Sequence, residues 1–435
     1  MRFCRLWLEV EGGQIMPLVI IGNSAAGLSA LDTLIKHQKE KKVILINEEN
    51  GPPYSKVLTS YFVAGKISEG HLYLRDMSYF EENKIETLLG TKVLEVLPQE
   101  KEIKTDNKGK LEFSKLLIAT GARPYIPSLP GIDLEGVFSL RTLKDAQQIK
   151  KYAGNKKRAV VLGGGPVGLK VAWALKNLGL KVTIIVGSPQ ILSRLLPRQP
   201  ALIVGEHLEN KGYKILTKTQ VEAIEGQEKV EKVVFSSGEE IPADIVVVGK
   251  GIHPNTELVQ GSGINVDWGI PVDEYQETNI PGIFAAGDVA QGKDILGEEK
   301  SVAGIWPVAV GQGRVAGENM LGFRKTYPGF MSINVLELDG ITIGGLGLSC
   351  SKGPEYSHVR VWEKEIYKEL IIKGNRVVGG VFLNDLSPSG FIETAVKNKV
   401  TTDRLPSLED LLWDSRLHLK AFYEQKRILR PKGGI

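Results

Sequence analysis

A chain of 435 residues is longer than one hydrophobic core supports, so two or three domains are expected. Its 42% hydrophobic and 24% charged residues describe an ordinary globular composition, and a net charge of +4 is too small to argue for nucleic acid, although it suits an acidic partner. Cys4 and Cys350 are the only cysteines and form no CxxC pair, which leaves a disulfide framework, a thiol redox motif and a cysteine zinc site without support.

No apolar run approaches the ~20 residues that cross a bilayer, so no membrane span is expected and the chain reads as cytoplasmic. Met1–Ile15 carries Arg2, Arg5, Glu9 and Glu11 and has no apolar core of signal-peptide length. Glu11-Gly12-Gly13 reads as a translated ribosome-binding sequence. Met16 is therefore the expected natural start, and the first fifteen residues an extension expected to lack order.

The first element is the apolar run Leu18-Val19-Ile20-Ile21, which ends in Gly22-Asn23-Ser24-Ala25-Ala26-Gly27. A buried strand running into small residues and then a helix is the start of a βαβ dinucleotide unit. Gly22 permits the tight turn, small side chains admit a pyrophosphate, and Gly27 lets helix and strand pack closely. Ser24 stands where the middle glycine is usual. Ala26, Ala30, Leu31, Leu34 and Ile35 mark a helix reaching about Lys39. Val43–Ile46 is the next strand, ending at Asn47-Glu48-Glu49, where such units place an acid for a ribose diol. Glu48 is the candidate, against a plain solvated loop acid.

Gly51-Pro52-Pro53-Tyr54-Ser55-Lys56 is a turn beside that strand. Leu74–Asn83 reads as a helix, Thr91–Leu97 and Glu102–Thr105 as a small β meander, and Leu116–Ala119 as a buried strand ending in Thr120-Gly121. A second nucleotide strand, Ala159–Leu162, ends in Gly163-Gly164-Gly165-Pro166-Val167-Gly168, a complete GxGxxG about 140 residues after the first turn. Val167, Val171, Leu175 and Leu178 are the expected buried stripe of its helix, and Gly179 its cap. Val182–Val186 follows. Val230–Ser236, Glu240–Pro242 and Ile245–Val248 read as strands, the last leading into Gly249–Asn255.

Thr278–Asp288 is the most specific run: a strand ends in small residues and presents Asp288 at its tip, where it can accept a hydrogen bond from a polyol. Ser301–Leu321 reads as a helix entered at Trp306-Pro307. From Thr326 the chain changes to short β segments (Ile333–Leu338, Ile341–Ile343, His358–Glu363, Glu369–Ile372 and Val377–Phe382), and Leu408–Leu429 reads as helical. In this tail Lys420, Lys426, Arg427, Arg430 and Lys432 face one acid, Glu424. A solvated helix end and a docking patch both fit.

Together these motifs resemble the two-dinucleotide flavoprotein reductases of the pyridine nucleotide-disulfide oxidoreductase superfamily over about Met16–Gly322. The members without a redox disulfide are the nearer likeness: rubredoxin and ferredoxin reductases, the flavin part of NADH nitrite reductase, and NADH-oxidising subunits of redox complexes. The resemblance implies an α/β fold with two Rossmann-like domains and an α+β C-terminal domain. It places an FAD domain at 16–121 and 253–324, an inserted NAD(P)H domain at 122–252, and an interface domain with a helical tail at 325–435. It implies that Gly22, Ser24, Ala25, Ala26 and Gly27 hold the FAD pyrophosphate, Asn47 and Glu48 its ribose, and Val93 its adenine. Thr120 and Gly121 would close the first crossover. Arg141 would be a flavin-side arginine, Asp288 would take the ribityl chain, and Lys56 would lie on the flavin. Gly287 would line that site, with Trp306, Pro307 and Ala309 aiming a helix N-terminus at the flavin. Gly163, Gly165, Pro166, Val167, Gly168 and Gly251 would bind NAD(P)H.

Three departures matter. Disulfide and peroxide-reducing relatives carry a cysteine within Tyr54–Gly65. The nearest matching position here is about Val57, and no cysteine lies between Cys4 and Cys350, so electrons must leave the flavin directly. The usual glutamate two residues after the last motif glycine is Lys170, and its usual lysine partner is Tyr61. Lys170 is therefore the candidate cation for flavin N5 or the nicotinamide amide, against a lysine pointing to solvent. Third, Val186-Gly187-Ser188 replaces the acid that repels a 2′-phosphate. Ser188 and Arg194 are candidate phosphate ligands, and NAD versus NADP stays open. His253 is expected to be structural, and no metal is expected.

The implied reaction is hydride transfer between NAD(P)H and FAD, with single electrons passing to or from an iron–sulfur, ferredoxin-like or rubredoxin carrier, or within a larger redox complex. The rivals are an NAD(P)H oxidase with O2 or a small acceptor, and a flavin-binding interaction subunit with an impaired NAD(P)H site. A homodimer is plausible by analogy.

Overall fold

The computed structural model describes residues 10–11, 14–37, 41–297, 299–351, 353–405 and 407–414. The chain divides into two compact units. The first takes the chain up to Tyr125, Arg141–Ala146 and Ile252–Phe330; the second takes Ile126–Leu140, Gln147–Gly251 and the chain from Met331 onward.

The first unit is built on a five-stranded parallel sheet in the order Ile283–Ala285, Lys115–Ile118, Leu18–Ile21, Val43–Asn47, Glu86–Leu89. Both faces are covered, which is why Leu18–Ile21, Val43–Ile46 and Leu116–Ile118 are unbroken apolar runs, whereas the edge strand Glu86–Leu89 starts with Glu86 and Thr87. Leu18, Ile20 and Leu45 face the helices Ala25–His37 and Trp306–Met320. Val19, Ile21, Ile44 and Ile46 face the meander residues Val96 and Ile103. The two helices touch backbone to backbone: a Cβ on Gly313 would lie 2.1 Å from the Ala26 carbonyl oxygen, and one on Gly317 would lie 2.8 Å from that of Ala30. The strand order reverses between Leu18–Ile21 and Lys115–Ile118, so a crevice opens at their carboxyl ends.

The second unit repeats this plan with a parallel sheet ordered Val137–Ser139, Ile245–Val248, Arg158–Leu162, Lys181–Val186, Lys214–Thr217. It adds an antiparallel sheet ordered Ile333–Leu338, Ile341–Gly347, Arg376–Leu383, Ile366–Lys373, Tyr356–Glu363, with a helix at Ser389–Lys397. Specific contacts tie the added sheet to the nucleotide segment. Asp339, in the turn between its first two strands, accepts from Tyr213 Oη at 2.7 Å and pairs with Lys176 at 3.4 Å. Leu195 fills the space beside Gly345, where a Cβ would come within 2.6 Å.

Several boundaries differ from the expectations. The helix expected over Leu74–Asn83 is Met77–Glu82, and that expected over Ser301–Leu321 is Trp306–Met320. Val167 is not in a buried stripe: it is 49% exposed, and the buried face is Gly168, Leu169, Val171, Ala172, Ala174 and Leu175. The reason is that Gly168 must face the Gly163 carbonyl, which rotates Val167 outward. The helices Arg198–Asn210 and Ser389–Lys397 were not expected. Of the C-terminal helix, Leu408–Trp413 is described; the basic tail, Cys4 and most of the N-terminal extension lie outside the described residues. Among the described residues no helix is long and apolar enough to cross a membrane.

Candidate functional site

At the carboxyl edge of the first sheet, steric contact dictates the glycines. Gly22 has φ +108° and an added Cβ would meet the Ala119 carbonyl oxygen at 2.2 Å; on Gly27 it would meet the Gly22 oxygen at 1.8 Å. Ser24 is half-buried and its carbonyl accepts from Leu28 N at 2.8 Å as the helix begins. A Cβ on Gly287 would lie 3.1 Å from Ala26 Cβ and 3.6 Å from Ala309 Cβ, so the glycine turn, the Asp288 loop and the second helix converge. Gln312, 1% exposed, fixes this loop by accepting from Gly287 N at 2.9 Å. The helix Trp306–Met320 has no side-chain cap, and Pro307 stands in its first turn, so its leading N–H groups are available to an anion or a polar ring edge.

Thr120, Gly121, Arg141 and Asp288 form one cluster. Thr120 Oγ1 donates to the Asn255 carbonyl at 2.9 Å, and Asn255 N donates to the Gly121 carbonyl at 3.0 Å. Arg141 Nη2 pairs with Asp288 Oδ2 at 2.7 Å. Arg141 Nε is buried and has no hydrogen-bond partner among the described residues. A buried donor left unpaired is costly, and an acceptor-bearing ligand would satisfy it.

The Lys56 ammonium donates to Glu49 Oε1 at 2.6 Å, and Tyr54 Oη donates to Glu49 Oε2 at 2.5 Å while accepting from Leu143 N at 2.8 Å. Burial, reinforced by the Glu49 charge, pushes the Tyr54 phenol well above its ordinary pKa, so it stays a donor. Glu48 is 68% exposed at the strand end, with Lys92 at 3.3 Å. Asn47 Nδ2 donates to the Glu49 carbonyl at 2.9 Å and so shapes the loop. Val93 is buried beside a bulge in its meander. Val57 is 58% exposed, whereas Thr59 and Ser60 are buried. His253 packs edge-on against Trp268, ring centroids 4.9 Å apart.

The second unit has its own cradle. A Cβ on Gly163 (φ +129°) would lie 2.2 Å from the Gly249 oxygen, and one on Gly168 would lie 2.1 Å from the Gly163 oxygen. Gly165 is different. Its φ of −81° suits any residue, and a Cβ there meets nothing within 4 Å. The space above it is open, at the N-terminus of a helix with Pro166 in its first turn and no side-chain cap. Backbone N–H groups facing open space are suited to a pyrophosphate. Gly251, φ +112°, also borders open space.

Of the two expected phosphate ligands, one is engaged elsewhere. Ser188 Oγ donates to the Gln190 carbonyl at 2.7 Å, while Arg194 is exposed. Lys170, the candidate cation for the flavin or nicotinamide, has partners within its own unit. Lys170 Nζ donates to the Glu337 carbonyl at 2.7 Å and lies 4.9 Å from the centre of the Trp173 ring. The added sheet supplies an acceptor the local sequence does not reveal. Glu49, Gln312 and the Thr142–Asp145 cap were not anticipated. The one signal for Glu49 was an acid next to Glu48 followed by a Pro-Pro turn leading back to Lys56.

The sequence model of the pyridine nucleotide-disulphide oxidoreductase family matches residues 16–313. The chain belongs to this family. Among its relatives, the NADH oxidase of Methanocaldococcus jannaschii is 35% identical over 77% of this chain and 76% of its own length. The nitrite reductase [NAD(P)H] of Bacillus subtilis is 29% identical over 96% of this chain but 52% of its own length, so the chain spans about half of that relative. The reductase fold of the covalent putidaredoxin reductase–putidaredoxin complex matches with a TM-score of 0.83 at 27% identity, over 94% of this chain and 99% of that one. Family fold and observed sheets agree: two Rossmann-like domains and a C-terminal domain.

Proposed function

We propose that this family member is an FAD-dependent NAD(P)H:acceptor oxidoreductase that exchanges single electrons with a protein carrier of the ferredoxin or rubredoxin type, free or within a larger redox complex. The observation that carries the reading is the pair of built cradles: the Gly22–Gly27 turn with the orphaned Arg141 Nε, and the open helix N-terminus at Gly165. The residues fit FAD in the first and NAD(P)H in the second. We assign the FAD domain to 16–121 and 253–324, the NAD(P)H domain to 122–252, and an interface role to 325–435.

When bound, the two cofactors supply hydride transfer between nicotinamide and flavin. The protein's part is to bind, orient and balance charge. Gly22, Ser24, Ala25, Ala26 and Gly27 hold the FAD pyrophosphate, Asn47 and Glu48 the ribose end, and Val93 the adenine. Thr120, Gly121, Gly287, Ala309 and the Arg141–Asp288 pair line the polyol and ring side. Trp306 and Pro307 start the helix whose N–H groups favour negative charge, and Lys56 adds a cation. Gly163, Gly165, Pro166, Val167, Gly168 and Gly251 hold NAD(P)H. No carboxylate ends the strand Lys181–Val186, so a 2′-phosphate is not repelled there, and Ser188 and Arg194 are the candidate ligands for one.

Named relatives support the carrier: putidaredoxin is the partner of one solved reductase. The relative named NADH oxidase favours a second reading, in which O2 or a small molecule is the acceptor. An anaerobic titration tests the proposal. Bleaching of the flavin band by NADH or NADPH is expected, with reoxidation by a ferredoxin or rubredoxin faster than by air. A colourless preparation that cannot be reconstituted with FAD refutes it.

A further inference from the structure

Along the carboxyl edge of the first sheet runs one polar chain. Lys56 Nζ donates to Glu49 Oε1 at 2.6 Å, Tyr54 Oη donates to Glu49 Oε2 at 2.5 Å, and Leu143 N donates to Tyr54 Oη at 2.8 Å. Leu143 opens a helical turn that caps itself reciprocally. Asp145 Oδ2 accepts from Thr142 N at 2.8 Å and from Arg141 N at 3.0 Å, while Thr142 Oγ1 accepts from Asp145 N at 3.1 Å. Arg141 then closes on Asp288 at 2.7 Å. The frame begins and ends on a cation held by a carboxylate, and both cation side chains are largely covered, at 22% and 24% exposure.

Glu49 is the member on which one end depends, because both its oxygens are committed, one to Lys56 and one to Tyr54. A lysine has a flexible stem and a compact, strongly hydrated charge. Fixing that charge beside a carboxylate turns a free cation into a short dipole. The surroundings are partly desolvated, so the difference between a paired and an unpaired charge is felt several ångströms away.

We propose that Glu49 is a positioning residue for the flavin site: it fixes the Lys56 ammonium and cancels most of its charge, and so holds down the reduction potential of the cofactor. This rests on the FAD reading above. The test compares Glu49→Gln, Lys56→Met and the double variant in the full-length, FAD-loaded protein. The readouts are the two-electron midpoint potential, measured by dye equilibration, and the rate of FAD release. Glu49→Gln keeps the size of the side chain and its ability to accept from Tyr54, but it leaves the cation uncompensated. The reduced-to-oxidised ratio at fixed potential should rise about tenfold, which is ~30 mV upward for a two-electron couple. Lys56→Met leaves the carboxylate uncompensated and should lower the ratio about tenfold. The double variant should return close to the wild-type value.

Opposite shifts that cancel in the double variant are what charge pairing produces and what a scaffolding role does not. Shifts in the same direction, no shift in either single variant, or faster FAD release without any shift would overturn the inference while leaving the FAD reading intact. A wild-type protein that takes up no FAD would overturn both.

Discussion

Replacing Gly165 by valine separates the fold from the ligand. The backbone there has φ −81° and ψ 176°, an extended conformation that β-branched residues favour. A Cβ meets no protein atom within 4 Å, so native contacts lose nothing and the unfolded chain loses freedom. The folding free energy should therefore stay level or improve by about 0.5 kcal/mol. The new methyl groups project into the space assigned to the NAD(P)H pyrophosphate. Ser24, at the corresponding place in the first cradle, argues that a small side chain is tolerated, which is why a branched one is specified. Loss of close backbone approach should weaken NAD(P)H binding at least tenfold, about 1.4 kcal/mol. Gly168→Val is the contrast: its Cβ would lie 2.1 Å from the Gly163 oxygen, so the fold itself should fail. Thermal unfolding and anaerobic stopped-flow bleaching of the flavin, at varied NADH and NADPH, read the two effects. Unchanged binding and bleaching in Gly165→Val would refute the placement of the dinucleotide.

Arg141→Lys can keep an ion pair with Asp288 but has no Nε–H, so FAD release should quicken about tenfold with little change in unfolding temperature; equal retention would mean that Nε does not serve the cofactor. Lys368 is fully buried, 2.5 Å from Asp385 and 2.6 Å from the Leu412 carbonyl it donates to. Lys368→Met keeps the stem but strands a carboxylate that is 30% exposed, and denaturant unfolding should show a loss of about 3 kcal/mol. Burial works against the Asp385 carboxylate, but hydrogen bonds from Lys368 and Ser387 outweigh it and leave its pKa below the ordinary 3.8. A lowered pKa contributes stability that is fully present above the unfolded value and is lost as pH falls through the folded one. Acid unfolding below about pH 4 should therefore be steeper for the wild type than for Asp385→Asn, and identical slopes would exclude this coupling.

What the sequence made legible was whatever steric demand writes into residue type. Gly22, Gly27, Gly163 and Gly168 were readable because a Cβ at each would strike a carbonyl oxygen within 2.2 Å. Thr120, Gly121 and Asp288 were readable as strand ends in a repeated plan. Features that depend on distant chain returning were not. Lys170 is answered by a carbonyl 167 residues away, and Glu49 becomes a partner of Lys56 only after the Pro52-Pro53 turn brings the chain back. Arg198–Asn210 escaped because its buried positions, Pro200, Ala201, Val204 and Leu208, mix small and helix-breaking types. Lys368 and Glu369, adjacent on one strand and both 0% exposed, carry side chains that pattern reasoning assigns to solvent.

The crossover strands Ala122–Pro124 and Ile252–Pro254 pair antiparallel, Ala122 opposite Pro254. The chain thus first leaves this unit and last returns to it on neighbouring strands, and a short turn could join the two ends if everything between were cut away. Such a truncated host would nonetheless be robbed, since Arg141–Ala146 travels inside the excised guest yet belongs to the host's own body. The guest cannot be exchanged for a foreign module unless that borrowed hexapeptide is carried across with it.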